Sequence, residues 1–167
     1  GDVLATVEVY SAKTNSWRSC TPMSQRRNGA VAGVVGGRLV VAGGFGGASR
    51  TPSVPTSTAS SVEAYTGTGW TPLPPMPHDA DEATACVLNG RLYVMGGVGS
   101  NKLQVLEMTE ENGLSGSCKA DLPADRAASV VHEGKIWVMC HHGLVGIDEE
   151  PSASVIIYDD EADAWRD

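Results

Sequence analysis

The chain has 167 residues, enough for one domain with its own core, and 41% apolar against 19% charged residues argues against a wholly disordered chain. A net charge of −8 excludes the broad basic face that nucleic-acid binders carry. No apolar run reaches the ~18 residues of a membrane span, no signal peptide is visible, and Gly1 in place of Met reads as a trimmed or internal end.

In chain order, the first predicted elements are two strands within residues 3–20. One of them ends in "VEVY" (7–10), and Trp17 follows in the second. Next comes "GAVAGVV" (29–35), the turn Gly36–Gly37, and a run closing on a double glycine, "GRLVVAGGFGG" (37–47). A Ser/Thr/Pro-rich stretch, 46–61, is predicted to be a mobile loop, because its composition cannot bury a core. "VEAY" (62–65), Trp70 and Pro75 complete the unit.

The plan then repeats. "ATACVLN" (83–89), the turn Asn89–Gly90, and "GRLYVMGGVGS" (90–100) lead to "LQVLEM" (103–108), with Cys118 where a Trp is expected. A third copy runs from "AASVVHE" (127–133) through Glu133–Gly134 to "GKIWVMCHHGL" (134–144), then to "VIIY" (155–158) and Trp165. Here Cys140–His141 replaces the double glycine, which marks this unit and the Cys118 unit as atypical. The runs are short, Val-rich and cut by Gly and Pro, so they read as strands. Asn-Gly between apolar runs is a strong hairpin signal.

Four short antiparallel strands cannot bury both faces alone, and radial stacking of such units is the logic of a β-propeller. The fold predicted is all-β, with propeller blades of four antiparallel strands. Residues 3–20 form the third and fourth strands of a first blade, and 28–74, 83–120 and 127–167 form three more. That is about three and a half blades of an incomplete ring within 1–167.

The double glycines, V-E-x-Y, Thr14–Asn15–Trp17 and the Pro22–Met23 and Pro75–Met76 pairs resemble kelch repeats, closest to the kelch-like propellers behind BTB domains. Ser11 stands where that family usually has Asp, and Asp159 keeps it. The resemblance implies that a partner protein or peptide docks on the loop face. That face is made by the inter-blade loops and by the loops joining second to third strands.

Carried onto this chain, the inter-blade loops offer Gln25, Arg26, Arg27 and Asn28, then His78, Asp79 and Asp81, then Asp125 and Arg126. The intra-blade loops offer Phe45, Ser49 and Arg50, then Ser100 and Asn101, then His142. The arginines suit carboxylates through their planar donors, and a structural ion pair is the alternative use for each. Asp79 and Asp81 make the face mixed in sign.

No catalytic arrangement stands out. There is no G-x-S-x-G elbow, H-E-x-x-H helix or P-loop, and none of the residues is predicted to be catalytic, cofactor-binding or metal-ligating. His141 and His142 are adjacent on a predicted strand and so point to opposite faces. "DDEADAW" (159–165) reads as a solvated hairpin turn.

The function expected is protein–protein recognition, as in the substrate-recognition part of a BTB-kelch adaptor that reaches a cullin ubiquitin ligase through a BTB domain. The alternatives are an actin- or cytoskeleton-associated kelch scaffold and, from another class, a kelch-propeller enzyme such as a sugar isomerase or oxidase. Neither nucleic acid nor membrane is an expected partner; the half-ring reads first as a piece of a longer protein, with self-association through its open faces as the alternative. Four scattered cysteines without a C-x-x-C pair read as reduced thiols and point to the cytoplasm, with the nucleus as the alternative.

Overall fold

The computed structural model describes residues 3–46, 59–109, 111, 113–124, 126–142 and 152–166. The strands are β1 (Val7–Ser11), β2 (Ser16–Cys20), β3 (Val31–Val35), β4 (Arg38–Ala42), β5 (Val62–Tyr65), β6 (Trp70–Leu73), β7 (Thr84–Leu88), β8 (Arg91–Met95), β9 (Leu103–Met108), β10 (Leu114–Cys118), β11 (Arg126–His132), β12 (Lys135–His142), β13 (Ser152–Asp159) and β14 (Ala164–Arg166). β1 and β2 form a two-stranded hairpin. β3–β6, β7–β10 and β11–β14 each form a four-stranded antiparallel sheet whose strands pair in chain order. The fold is all-β, an incomplete propeller of the three and a half blades that the repeat predicts.

Local chemistry sets the hairpins. In the three two-residue turns that join first to second strands, both central residues have positive φ: 55° and 76° at Gly36–Gly37, 51° and 75° at Asn89–Gly90, 50° and 70° at Glu133–Gly134. Such turns match the right-handed twist of the strands that they join.

Blades stack through a repeated apolar pair. Val87 and Leu92, opposite each other on β7 and β8, pack over Gly33, where an added Cβ would lie 2.7 and 2.6 Å from their side chains. One blade further on, Ile136 packs with Tyr93 and Cys86 in a second core cluster. Leu92 and Ile136 are fully buried, and each such side chain contributes roughly 2 kcal/mol. Thr84 of β7 and Ser129 of β11 share a hydrogen bond of 2.9 Å between neighbouring innermost strands.

An aromatic pair repeats at the outer strands. Tyr10–Trp17, Tyr65–Trp70 and Tyr158–Trp165 sit opposite each other in register, with ring centroids 5.2, 5.4 and 4.9 Å apart. Trp70 and Trp165 also donate Nε1–H to the Thr21 and Ala120 carbonyls of the preceding unit, both at 2.9 Å.

In the β7–β10 blade, Gly116 lies opposite Leu106 and takes the Trp position; Cys118 pairs with Gln104. This corrects the expectation for Cys118. Trp17 and Trp70 stand five residues before Pro22 and Pro75, whereas Gly116 stands seven before Pro123, so counting five back from that proline lands on Cys118 and misplaces the register. Pro77 fills the space beside Gly116, its Cδ 2.9 Å from where a Cβ would stand.

Cys140 and His141 also depart from the repeat. β12 runs straight through them, pairing with β11 on one side and with β13 as far as His142–Ser152 on the other. His142, expected in a loop, is therefore in a strand, and Arg126, expected in an inter-blade loop, opens β11 opposite His141. Without the glycines nothing bends the chain there, and the ladder continues.

Candidate functional site

The loop end of the blades is fixed by a buried charge pair. Arg27 Nε lies 3.0 Å from Glu63 Oε1, and both side chains are 1% exposed. Arg27 Nη1 donates to the Gly43 and Ser61 carbonyls at 2.7 and 3.1 Å. The other Glu63 oxygen accepts the Ser24 amide and hydroxyl at 2.9 and 2.6 Å. Desolvating a carboxylate and a guanidinium is costly, and these charge-assisted bonds offset it. Arg27 is thus inside the fold, which corrects its expected place among the exposed loop-face residues.

The same position in the next blade is Gln104, whose Oε1 accepts the His78 amide at 2.8 Å. In the last blade it is Ile156, 4% exposed, in a cluster with Leu122 and Ala124. Each inter-blade loop is therefore tied to the third strand of the blade that follows it, by a charge, by an amide, or by apolar contact.

A ladder of backbone bonds then crosses from one blade to the next. Phe45 and Asn28 exchange two bonds, at 2.7 and 2.9 Å. The Glu82 amide donates to the Gly29 carbonyl at 3.0 Å, and the Val98 amide to the Asp81 carbonyl at 2.8 Å. The double glycine makes room: the Gly44 amide donates to the Ala80 carbonyl at 2.8 Å, and a Cβ on Gly43 would stand 2.2 Å from that oxygen.

On this frame, Gln25, Arg26, Asn28, Phe45, His78, Asp79 and Asn101 are exposed. Asp81 and Ser100 are half-buried. Gln25 Oε1 accepts from the Ser61 hydroxyl at 3.1 Å, Asn101 Nδ2 donates to the Leu122 carbonyl at 3.2 Å, and Ser100 Oγ accepts the Lys102 amide at 3.3 Å. Ser49, Arg50, Asp125 and most of the 46–61 loop lie outside the described residues, as do the side chains of Arg126 and His142.

Sequence reasoning passed over Val98, 53% exposed, which stands where Phe45, 41% exposed, stands one blade earlier. Counting from the double glycines gives it the same place in the repeat.

Two nucleophile types, the half-buried Cys86 thiol and the buried Tyr93 hydroxyl, are held protonated. Burial pushes the Cys86 thiol up to about 11 and the Tyr93 hydroxyl up to about 12. A thiol held neutral is unreactive. Among the described residues, no three His, Cys, Asp or Glu side chains converge on a point that could hold a metal ion.

No family model and no curated protein matches this chain. Among solved structures it is similar to YjhT, with a TM-score of 0.71 and 13% sequence identity over 96% of this chain. It spans 61% of the length of YjhT. Similarity at that identity concerns the fold alone.

Proposed function

We propose that this chain is a protein-recognition module that captures a partner segment on its loop face. The reading rests on one observation: the backbone of this face is locked from below, while several of its side chains stay exposed. Arg27, Glu63, Gln104 and the inter-blade ladder hold the loops; Gln25, Arg26, Asn28, Phe45, His78 and Asp79 remain exposed on them. A surface ordered before binding loses less entropy when it binds, so few contacts suffice for useful affinity. Arg and an exposed aromatic are also the residue types that dominate binding energy at such interfaces.

The kelch-like motifs add the finer reading, the substrate-recognition part of a BTB-kelch adaptor for a cullin ubiquitin ligase. A random 12-residue peptide library selected on the chain tests the recognition step. Selected peptides are expected to bind at least about tenfold more weakly to the Arg26→Ala, Phe45→Ala double variant. Undiminished binding would place recognition elsewhere on the molecule.

A further inference from the structure

We infer that the half-blade β1–β2 is completed by a β-hairpin from outside residues 1–167, which pairs with the free edge of β1 and covers Val34 and Leu39. The inference is independent of the loop face. Each four-stranded blade carries the same apolar pair astride its first turn: Val34–Leu39, Val87–Leu92 and Val131–Ile136, opposite each other in register. Leu92 and Ile136 are fully buried, because the inner strands of the preceding blade lie against them. Leu39 is 38% exposed and Val34 56%, since β1 and β2 hold only the places of third and fourth strands.

The edge beside that pair is open as well. β5, β9 and β13 each pair on their inner side with the second strand of their own blade, whereas β1 pairs with β2 alone among the described residues. An unpaired edge offers a row of N–H and C=O groups to an added strand. Between β1 and the next blade lies a cavity of about 200 Å³, lined by Val7, Val9, Leu39, Tyr65 and Trp70. The repeat states what fits there. The second strand of the hairpin runs antiparallel to β1, as β4 does to β5, and its first strand sets a small residue against the apolar pair. Gly33 does this for Val87 and Leu92, and Cys86 for Ile136. A whole blade of a second copy does not fit, because β1–β2 already fill the outer half, tied to the next blade by the Trp70 Nε1–H bond to the Thr21 carbonyl.

The probe is a labelled synthetic peptide with the sequence of residues 30–44, the chain's own inner hairpin around Gly33, flanked by lysines for solubility. Its binding to the whole chain is followed by fluorescence anisotropy, for the wild type and for Val34→Asp, Leu39→Asp and Val155→Asp. Val155 is the control, 52% exposed on β13 of the last blade, and urea midpoints establish that each variant is folded. Saturable binding is expected, at least about tenfold weaker for Leu39→Asp and Val34→Asp and unchanged for Val155→Asp. A peptide carrying Gly33→Leu should bind several-fold more weakly, because its side chain fills the place that the apolar pair needs. Lack of saturable binding overturns the inference, and so does binding that Val155→Asp weakens as much as Leu39→Asp. A dimer of the chain alone in sedimentation, dissolved by Leu39→Asp, would make a second copy the occupant and overturn it too. None of these results bears on Arg26 and Phe45, so the loop face stands or falls by its own test.

Discussion

The β3–β6 and β11–β14 blades reach one plan by opposite means. In the first, the chain bends at Gly43–Gly44, and a buried Arg27–Glu63 pair ties the preceding loop beneath it. In the last, Cys140–His141 continue the strand, and Ile156 packs against Leu122 and Ala124 where Glu63 would stand. The outer frame of a blade tolerates either solution. What differs is the sensitivity of the loop end, because a buried charge pair fails more abruptly than an apolar contact does.

The largest effect expected follows from that difference. Glu63→Ala strands the buried Arg27 guanidinium and removes the acceptor for Ser24, at a cost of about 3–5 kcal/mol in urea unfolding. Ile156→Val, at the matching position, costs about 1 kcal/mol. Combining Arg27→Met with Glu63→Ala is expected to regain part of the first loss, since no charge is then left unpaired. Equal losses from Glu63→Ala and Ile156→Val would dissolve the contrast.

Next in size is the bend. Gly43→Ala sets a Cβ 2.2 Å from the Ala80 carbonyl at a φ of +70°, costing about 3 kcal/mol and loosening the contact with the next blade. Cys140→Gly, the reverse exchange in the last blade, costs about 1–2 kcal/mol through backbone entropy and the space left behind. The two unfolding midpoints, measured side by side, show whether the glycine serves close approach.

The smallest effect compares the two ends of the chain. In β1–β2 the Tyr10 hydroxyl donates to Asn15 at 2.8 Å; in the last blade the Tyr158 hydroxyl donates to Asp163 at 2.6 Å, and the Ala120 amide joins it at 3.0 Å. Those donors, Tyr158 first, hold the Asp163 carboxyl below its ordinary value of 3.8. A depressed folded-state pKa gives stability that is present above about pH 4 and lost as pH falls through the lowered value. Asp163→Asn should therefore flatten part of the acid limb below about pH 4, whereas Asn15→Ala should shift stability equally at every pH. Parallel acid limbs for wild type and Asp163→Asn would show that the turn carries no titrating contribution.

The candidate site was only partly legible. Arg26, Asn28, Phe45, His78 and Asp79 are exposed as expected, but Arg27, beside Arg26 in the sequence, is buried. Nothing local separates the two arginines: the selection is made by Glu63, a distant residue on β5. Val98 escaped notice because Val in a strand-rich chain reads as core; only its place after the glycines, matched to Phe45, reveals it. Cys118 was misplaced because register belongs to the pairing of two strands, and spacing from a later proline does not carry it.

The sequence by itself determined the strands, their order and the hairpin turns. Short Val-rich apolar runs, cut by residues that accept positive φ, are local statements that need no neighbour. Tertiary structure alone decided which loop side chains turn inward, which glycine replaces a tryptophan, and that Asp81 lies over Gly29. Those outcomes depend on groups brought together from separate blades, where burial gives a charge or a missing Cβ its meaning.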